Sequence, residues 1–137
     1  MPSARSILVD AGPLIALGTP SDKHHAEALE FARTCEAQLV TTWAVVAETA
    51  HFIVRNRTRL YKRIEAGMIL VEDLGPADMP RLIEILEKYP EADLADASLV
   101  LVGERLSLFD IATTDKKDFA IYRTKSGKYF RNLFRTA

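Results

Sequence analysis

Four acidic residues stand apart from the other charges of the sequence, each inside an apolar stretch or directly after one. They are Asp10, Glu48, Asp96 and Asp115. Carboxylate oxygens are hard ligands, and a set of them without Cys or His partners suits Mg²⁺ or Mn²⁺ rather than zinc. Each acid by itself is equally well explained as a helix cap or a surface residue. As a set, they indicate a divalent-cation site with room for a phosphate.

Asp10 and Asp115 share one sequence pattern. Asp10 directly follows the β-branched apolar run 7–9 and precedes a Gly-Pro turn and a second apolar run. This order predicts a buried parallel strand, a turn and the start of a helix. Asp115 follows the apolar segment 108–114 in the same way. Because ligand sites of open α/β sheets form at the carboxyl ends of strands, both acids are predicted to lie where chemistry is done.

Glu48 and Asp96 lie in predicted helices that are almost wholly apolar. Glu48 is the first formal charge of a helix expected from residue 43 to about 56, which we expect to be buried on nearly all sides. Asp93 precedes Asp96 by three residues, so both share one helix face. Two like charges beside an apolar interior need either a shared proton or a cation. Asp93 is therefore a ligand of second rank.

The remaining pattern alternates short apolar strands with amphipathic helices. Further strands are predicted at 38–41 and 68–71, and a short one in the tail that covers a sheet edge. Such alternation indicates a single α/β domain over residues 1–137 with a mainly parallel sheet. A helix that Pro76 and Asp78 open and that ends near Tyr89-Pro90 is expected to direct its apolar side chains to the core. These are Leu82, Ile83, Ile85 and Leu86.

Composition limits the class of protein and its surroundings. Hydrophobic residues make up 48% and charged residues 27%, as in ordinary globular chains, and the formal net charge is −1. The single Cys35 excludes an intramolecular disulfide, which suits a reducing cytoplasm. The sequence has no candidate signal peptide or membrane span. We therefore expect a cytoplasmic protein.

The positive charges are concentrated in residues 55–63 and in the tail. Basic patches beside an acidic centre suit a polyanion held against a metal site, although solvated helix faces explain the patches equally well. The candidates for contacts to a nucleic-acid backbone are Arg55, Arg57, Arg59, Lys62, Lys116 and Lys117.

Other metal-dependent phosphate chemistries fit the motifs less well. A haloacid-dehalogenase-like site needs a second Asp at position 12, which is Gly12, and a receiver domain needs paired acids after its first strand, where Asp10 stands alone. The sequence also lacks zinc-type ligand clusters and a Gly-rich phosphate loop. A Mg-dependent α/β phosphohydrolase of another kind stays as an alternative.

Four segments of the chain, taken in order, resemble PIN-domain ribonucleases, in particular the VapC-type toxins of bacterial toxin–antitoxin pairs. The resemblance extends over essentially the whole chain and implies a three-layer α/β sandwich with a mainly parallel central sheet flanked by helices. The segments are LVDAGPLIAL, TTWAVVAETAHFI, DLADASLVLVGERL and IATTDKKDFAIYR.

The resemblance also implies roles for individual residues. The family's metal-binding acids fall on the four acids named at the outset. The hydroxyl that the family places near the first or fourth acid falls on Thr114, because position 12, where some members carry Ser or Thr, is Gly12. Asp118 is expected to be structural, together with Phe119.

The activity implied is Mg²⁺- or Mn²⁺-dependent hydrolysis of phosphodiester bonds in structured RNA, such as tRNA or an rRNA loop. The resemblance further implies a homodimer and a small antitoxin protein that inserts a side chain into the acidic site. An apolar groove between the early helices would take an antitoxin helix. The alternative within the family is a catalytically idle PIN domain that only binds protein or RNA.

Overall fold

The computed structural model describes residues 5–135, and its centre is a five-stranded sheet in which every paired strand is parallel to its neighbour. The strand order is β3-β2-β1-β4-β5. The predicted parallel sheet is confirmed, although the fourth strand is shorter than its apolar run suggested. The strands are β1 (Ser6–Val9), β2 (Gln38–Thr42), β3 (Ile69–Glu72), β4 (Asp110–Ala112) and β5 (Arg131–Asn132).

Seven α-helices connect and flank the strands within residues 5–135. A single 3₁₀ turn at Pro76–Asp78 precedes the fifth of them, where a proline can start a helix because its missing N–H is not needed there. The helices are α1 (Ala11–Gly18), α2 (His25–Thr34), α3 (Trp43–Phe52), α4 (Arg57–Glu65), α5 (Met79–Lys88), α6 (Leu94–Leu106) and α7 (Lys116–Ile121).

The chain changes direction across the sheet at β1. The first two connections lead from β1 to β2 and on to β3, and the third returns from β3 to β4 on the other side of β1. Because such crossovers are right-handed, the two sets of helices cover opposite faces and produce the three layers of an α/β sandwich. The carboxyl ends of β1 and β4 meet at this reversal, which is the usual position of a site in such sheets.

Helix α6 is the most deeply buried helix of the described chain, and it lies close against the central strand. Its residues 97–103 are all buried. A Cβ atom at Gly103 would lie 2.8 Å from the carbonyl oxygen of Leu108 and 3.2 Å from Leu8 Cδ1, so the close approach requires glycine. The apolar sequence of this helix therefore reports its burial correctly.

Two expectations about burial are wrong. Helix α3 is not buried on all sides, because Trp43 is 50% and Phe52 63% exposed. Ile83 of α5 is 52% exposed, whereas Leu82 and Ile85 lie in the core as expected. A run of apolar residues does not distinguish a fully buried helix from one that leaves part of its surface exposed.

No helix within residues 5–135 combines the length and the apolar character that a membrane span requires.

Candidate active site

Asp10 lies at the carboxyl end of β1 and is held by two hydrogen bonds. Its Oδ1 accepts from the backbone N–H of Ala11 at 2.8 Å and thereby caps α1. Its Oδ2 accepts from the hydroxyl of Thr113 at 2.9 Å, and that hydroxyl oxygen accepts from the backbone N–H of Asp115 at 2.9 Å. One threonine hydroxyl therefore joins the ends of β1 and β4.

Thr114, on which the resemblance placed the hydroxyl near the first or fourth acid, does not donate to Asp10. Its side chain stands over Gly12, where a Cβ atom would lie only 2.0 Å from the Thr114 hydroxyl oxygen. The hydroxyl that reaches the first acid is that of the preceding residue, Thr113. The glycine at position 12 is thus explained by the volume that Thr114 occupies.

Asp93 and Asp96 lie at the start of α6. Asp93 is exposed, and its Oδ1 caps the helix by accepting from the backbone N–H of Asp96 at 2.9 Å. The Asp96 carboxylate is half-buried, and its Oδ2 accepts from the hydroxyl of Tyr122 at 2.9 Å. The shared face predicted for this pair is therefore present, with Asp96 as the inner member.

Asp115 and Asp118 repeat this arrangement at the start of α7. Asp115 caps the helix by accepting from the backbone N–H of Asp118 at 3.0 Å. One carboxylate oxygen each of Asp96, Asp115 and Asp118 lies within 4.8 Å of the other two. Asp118, which we expected to be structural, thus lies beside two of the predicted ligands.

Glu48 lies in the middle of α3 and is half-buried. Burial raises its pKa, and the charges of Asp93 and Asp10 raise it further, so the three carboxylates lie within one electrostatic field. A buried hydroxyl pair, Thr42 with Ser98 at 2.7 Å, connects the start of α3 to α6. This contact fixes the helix that carries Glu48 relative to the helix that carries Asp96.

The pKa values of Asp10, Glu48 and Asp96 are raised, in each case by burial and partly by the charge of another acid. Burial raises the pKa of Asp10, although hydrogen bonds from Ala11 and Thr113 oppose the shift. Burial first and the charge of Asp93 second raise the pKa of Asp96 to about 7. Within residues 5–135, none of the ion pairs between side chains involves an acid of the cluster.

This donor set fits a hard divalent cation. Carboxylate oxygens from separate elements converge, and their mutual repulsion is what a bound cation would relieve. Three of the acids also cap helices, but each cap uses only one of the two carboxylate oxygens. The helix N-termini that point toward the cluster offset part of its negative charge. We use the term acidic cluster for the six residues Asp10, Glu48, Asp93, Asp96, Asp115 and Asp118.

The predicted basic residues separate into two groups. Lys116 and Lys117 begin α7 directly after Asp115 and are exposed beside the acidic cluster. The second group, Arg55, Arg57, Arg59 and Lys62, lies in or just before α4, and the structure does not bring it to the acids. The amide of Asn56, just before α4, donates to the carbonyl oxygen of Gly18 at the end of α1 at 2.8 Å.

The other end of α4 is also distant from the acids. Gln38, at the first position of β2, donates to the carbonyl oxygen of Gly67 at 2.7 Å. Helix α4 therefore lies toward the amino ends of the strands, beyond the far end of α3, whose ten residues span about 15 Å. The basic residues predicted there are Arg55, Arg57, Arg59 and Lys62.

A groove of about 260 Å³ lies between α1, α2, α3 and α4. Apolar and polar side chains line it in similar measure, with Arg59 and Arg63 at its α4 side. Leu29 of α2, which also lines it, is 49% exposed. A groove thus lies between the early helices, but it is less apolar than we expected, and part of the α4 basic stretch borders it.

Three contributors to the site were not predicted in the roles that the structure gives them. Tyr122 was not predicted, because no local pattern connects it to Asp96. Thr113 was not predicted either, because two adjacent threonines cannot be distinguished without the strand's pleat. Asp118 did carry a signal, because its three-residue spacing from Asp115 equals the spacing that pointed to the acids of α6.

The fold and the acidic cluster together define an α/β domain. Its carboxylate site lies where the strand order of the parallel sheet reverses. The family model of the PIN domain matches residues 7–125, and the chain belongs to this family. The resemblance recognised in the sequence is thereby confirmed.

Individual relatives agree with this assignment. The chain is 24% identical over 131 residues to the ribonuclease VapC26 of Mycobacterium tuberculosis, covering 90% of this chain and 97% of that protein. The fold is similar to the crystal structure of Mycobacterium tuberculosis VapC20, a toxin that cleaves the sarcin–ricin loop. That match has a TM-score of 0.70 at 20% identity and covers 81% of this chain and 91% of the other.

Proposed function

We propose that the chain is a metal-dependent endoribonuclease and the toxin of a toxin–antitoxin pair, with residues 1–137 forming one domain. The observation that carries the proposal is the convergence of acids at the starts of α1, α6 and α7, with Glu48 of α3 within their electrostatic field, at the sheet reversal of a PIN domain. The names of the relatives, a ribonuclease and an RNA-cleaving toxin, support the choice of RNA as substrate. The PIN match argues against a receiver or dehalogenase-like phosphohydrolase.

The residues proposed to hold Mg²⁺ or Mn²⁺ are Asp96 and Asp115, with Asp10 and Glu48 completing the set and Asp93 and Asp118 in supporting positions. When bound, the cation would polarise water and neutralise charge on the phosphate. Thr113 keeps the Asp10 carboxylate oriented by its hydrogen bond. No covalent nucleophile is required, and Cys35, which donates to the Ala37 carbonyl oxygen, lies at the end of α2.

Lys116 and Lys117 are proposed to hold the RNA backbone, because they are exposed and follow a ligand directly. Contacts of this kind position the strand and do not select its sequence. An RNA bound at the acids would meet Arg55, Arg57 and Lys62 only if it extended along the molecule by a further helix length. The proposed substrate is therefore a folded RNA, such as tRNA or an rRNA loop, that presents a single-stranded loop to the acids.

The experiment that tests the proposal is cleavage of total bacterial RNA with Mg²⁺, Mn²⁺ or EDTA. Asp10→Asn and Asp96→Asn preserve shape and remove ligand charge. Asp110→Asn is the matched control, because Asp110 lies at the other end of β4 and pairs with Arg131. We expect discrete cuts by the wild type and the control that vanish in both site variants and in EDTA. Cuts that survive both variants would refute the site.

The same experiment distinguishes the idle PIN domain. If Mn²⁺ binds and RNA is retained on the wild-type protein without any cut, the chain is a binding module. Sequencing the ends of the fragments names the RNA and the bond. A single cut in one structured RNA supports the proposed substrate, and cuts spread over unstructured RNA contradict it.

The groove bordered by α4 is the proposed seat of the antitoxin. Its leucine side chains suit the apolar face of an amphipathic helix, and Arg59 and Arg63 favour acidic residues on that helix. Leu29→Asp and Arg59→Glu change the groove rim but not the acids. Both variants should still arrest bacterial growth, while relief by a co-expressed antitoxin is lost. Undiminished relief would place the antitoxin elsewhere.

A homodimer is also proposed. Trp43, Phe52 and Val54 leave large apolar areas of α3 and the following turn exposed in a single copy. Such exposure is typical of a protein–protein interface. Light scattering during gel filtration should give twice the monomer mass, and Phe52→Glu should restore the monomer.

A further inference from the structure

The hydroxyl of Tyr122 makes the one hydrogen bond from a side chain that Asp96 accepts within the described chain. Tyr122 comes directly after α7, and its side chain reaches back to α6, where the hydroxyl donates to Asp96 Oδ2 at 2.9 Å. The tyrosine is 2% exposed. A buried phenol donating to a carboxylate fixes the orientation of that carboxylate more tightly than an exposed partner would.

The ring of Tyr122 is held by aromatic neighbours. Its centroid lies 5.0 Å from that of Phe119 and 5.1 Å from that of Tyr89, both in edge-to-face geometry. The hydroxyl of Tyr89 is used elsewhere, because it accepts from the backbone N–H of Arg123 at 3.0 Å. The ring is therefore fixed by packing, which leaves the Tyr122 hydroxyl committed to Asp96.

We propose that Tyr122 is a positioning residue that holds the Asp96 carboxylate in the orientation needed for binding a divalent cation. The proposal rests on the proposed function, since it assigns Asp96 to the cation. The hydrogen bond commits a lone pair of Oδ2, and Oδ1 accepts no hydrogen bond from the described residues. Oδ1 is thus the oxygen that this arrangement offers to a cation.

The hydrogen bond answers a particular need of Asp96. The carboxylate is attached to the first turn of α6 and is repelled by Asp93, Asp10 and Asp115. Without a donor, repulsion would turn it away from the other acids and toward water. Partners that orient a ligand in this way change metal affinity by roughly 10–100-fold when they are removed from other proteins.

The test uses Tyr122→Phe, which removes only the hydroxyl and keeps the ring against Phe119. Tyr89→Phe is the matched control. It removes a hydroxyl from the same aromatic cluster, and the bond that it breaks is to the backbone N–H of Arg123 and not to an acid. Mn²⁺ affinity is measured by the free-ion signal in electron paramagnetic resonance, and RNA cleavage is measured as a function of Mn²⁺ concentration. Circular dichroism and melting temperature establish that each variant is folded.

We expect Tyr122→Phe to weaken Mn²⁺ binding by roughly 10–100-fold and to recover most of the wild-type cleavage rate at saturating Mn²⁺. Tyr89→Phe should bind Mn²⁺ as the wild type does. Equal Mn²⁺ affinity of Tyr122→Phe and wild type, or equal losses in both variants, would overturn the positioning role. A wild type that neither binds Mn²⁺ nor cuts RNA would instead overturn the proposed function, and this proposal with it.

Discussion

The two ends of α6 carry acidic residues in opposite circumstances. At its C-terminal end Glu104 accepts hydrogen bonds from two nitrogens of Arg81, from Nη2 at 2.5 Å and from Nε at 3.0 Å, and one from the backbone N–H of Lys125 at 2.7 Å. At its N-terminal end Asp93 and Asp96 repel each other and have no cationic side chain as a partner within the described chain. The compensated acid stabilises the fold, and the uncompensated pair is what a cation site requires.

This difference separates structural from functional charge without reference to relatives. Removing an acid whose charge is neutralised in the fold lowers the stability of the protein. Removing an acid that is held against like charges raises the stability of the protein and abolishes its function. Variants at the two ends of one helix should therefore change stability and RNA cleavage in opposite ways.

Asp96→Asn should have the largest effect. Since outer partners of metal ligands contribute roughly 10–100-fold, loss of a ligand should reduce RNA cleavage by more than about 100-fold. The metal-free variant should nevertheless melt at a higher temperature than the metal-free wild type, because a repelled charge is gone. Initial cleavage rates and thermal melts in EDTA check both statements. A variant that loses activity because it is unfolded would contradict this account.

Glu104→Gln should give the reverse result. It removes an ion pair of which both side chains are largely buried, at 22% and 18% exposure. Hydrogen bonds to charged groups contribute about 1.5–3 kcal/mol, so the free energy of unfolding should fall by about that amount. Cleavage at a temperature where the variant is folded should equal that of the wild type. Urea titration measures the first quantity, and a large loss of cleavage would show that the two ends are coupled.

Ser98→Ala tests the contact between the two helices that carry Glu48 and Asp96. The Ser98 hydroxyl contacts Thr42 at 2.7 Å and donates to the Ala95 carbonyl oxygen at 2.7 Å. Its loss should lower the free energy of unfolding by about 1 kcal/mol and leave the Thr42 hydroxyl without its contact to α6. Mn²⁺ affinity should fall with it, whereas the equally small change Thr34→Ala on α2 should leave Mn²⁺ affinity unchanged.

The pH dependence of stability tests the repulsion at Asp96 in the metal-free protein. The pKa of Asp96 in the folded protein, about 7, lies above its ordinary value of 3.8. The protonated form therefore stabilises the fold fully below 3.8, and this contribution is lost as the pH rises from 3.8 through about 7. In EDTA the melting temperature should fall between about pH 4 and pH 7, and Asp96→Asn should flatten that fall. A wild-type curve as flat as that of Asp96→Asn would contradict the assigned repulsion.

The parts of the site that sequence could predict are those that follow from chain direction. Asp10 and Asp115 were predictable because an acid after an apolar run must lie at a strand's carboxyl end in a parallel sheet. Asp93 and Asp96 were predictable from helical spacing. The choice between cap and ligand was a false alternative, because a carboxylate has two oxygens and a cap needs one.

The parts that sequence could not predict depend on packing between distant elements. Tyr122 reaches Asp96 across 26 positions, and Thr42 reaches Ser98 across 56. Such contacts have no local period. The exposure of Ile83 likewise depends on which elements cover α5. The distance of α4 from the acids depends on where along the strands the connection between β2 and β3 places that helix.

Mn²⁺ binding to Asp115→Asn and Asp110→Asn, measured by electron paramagnetic resonance beside the wild type, tests the central claim most directly. Asp115 follows β4 within the acidic cluster, whereas Asp110 begins the strand and pairs with Arg131. The account predicts that wild type and Asp110→Asn bind Mn²⁺ alike and that Asp115→Asn loses at least about 10-fold in affinity. Equal binding by all three proteins would contradict a cation site at the carboxyl edge of the sheet.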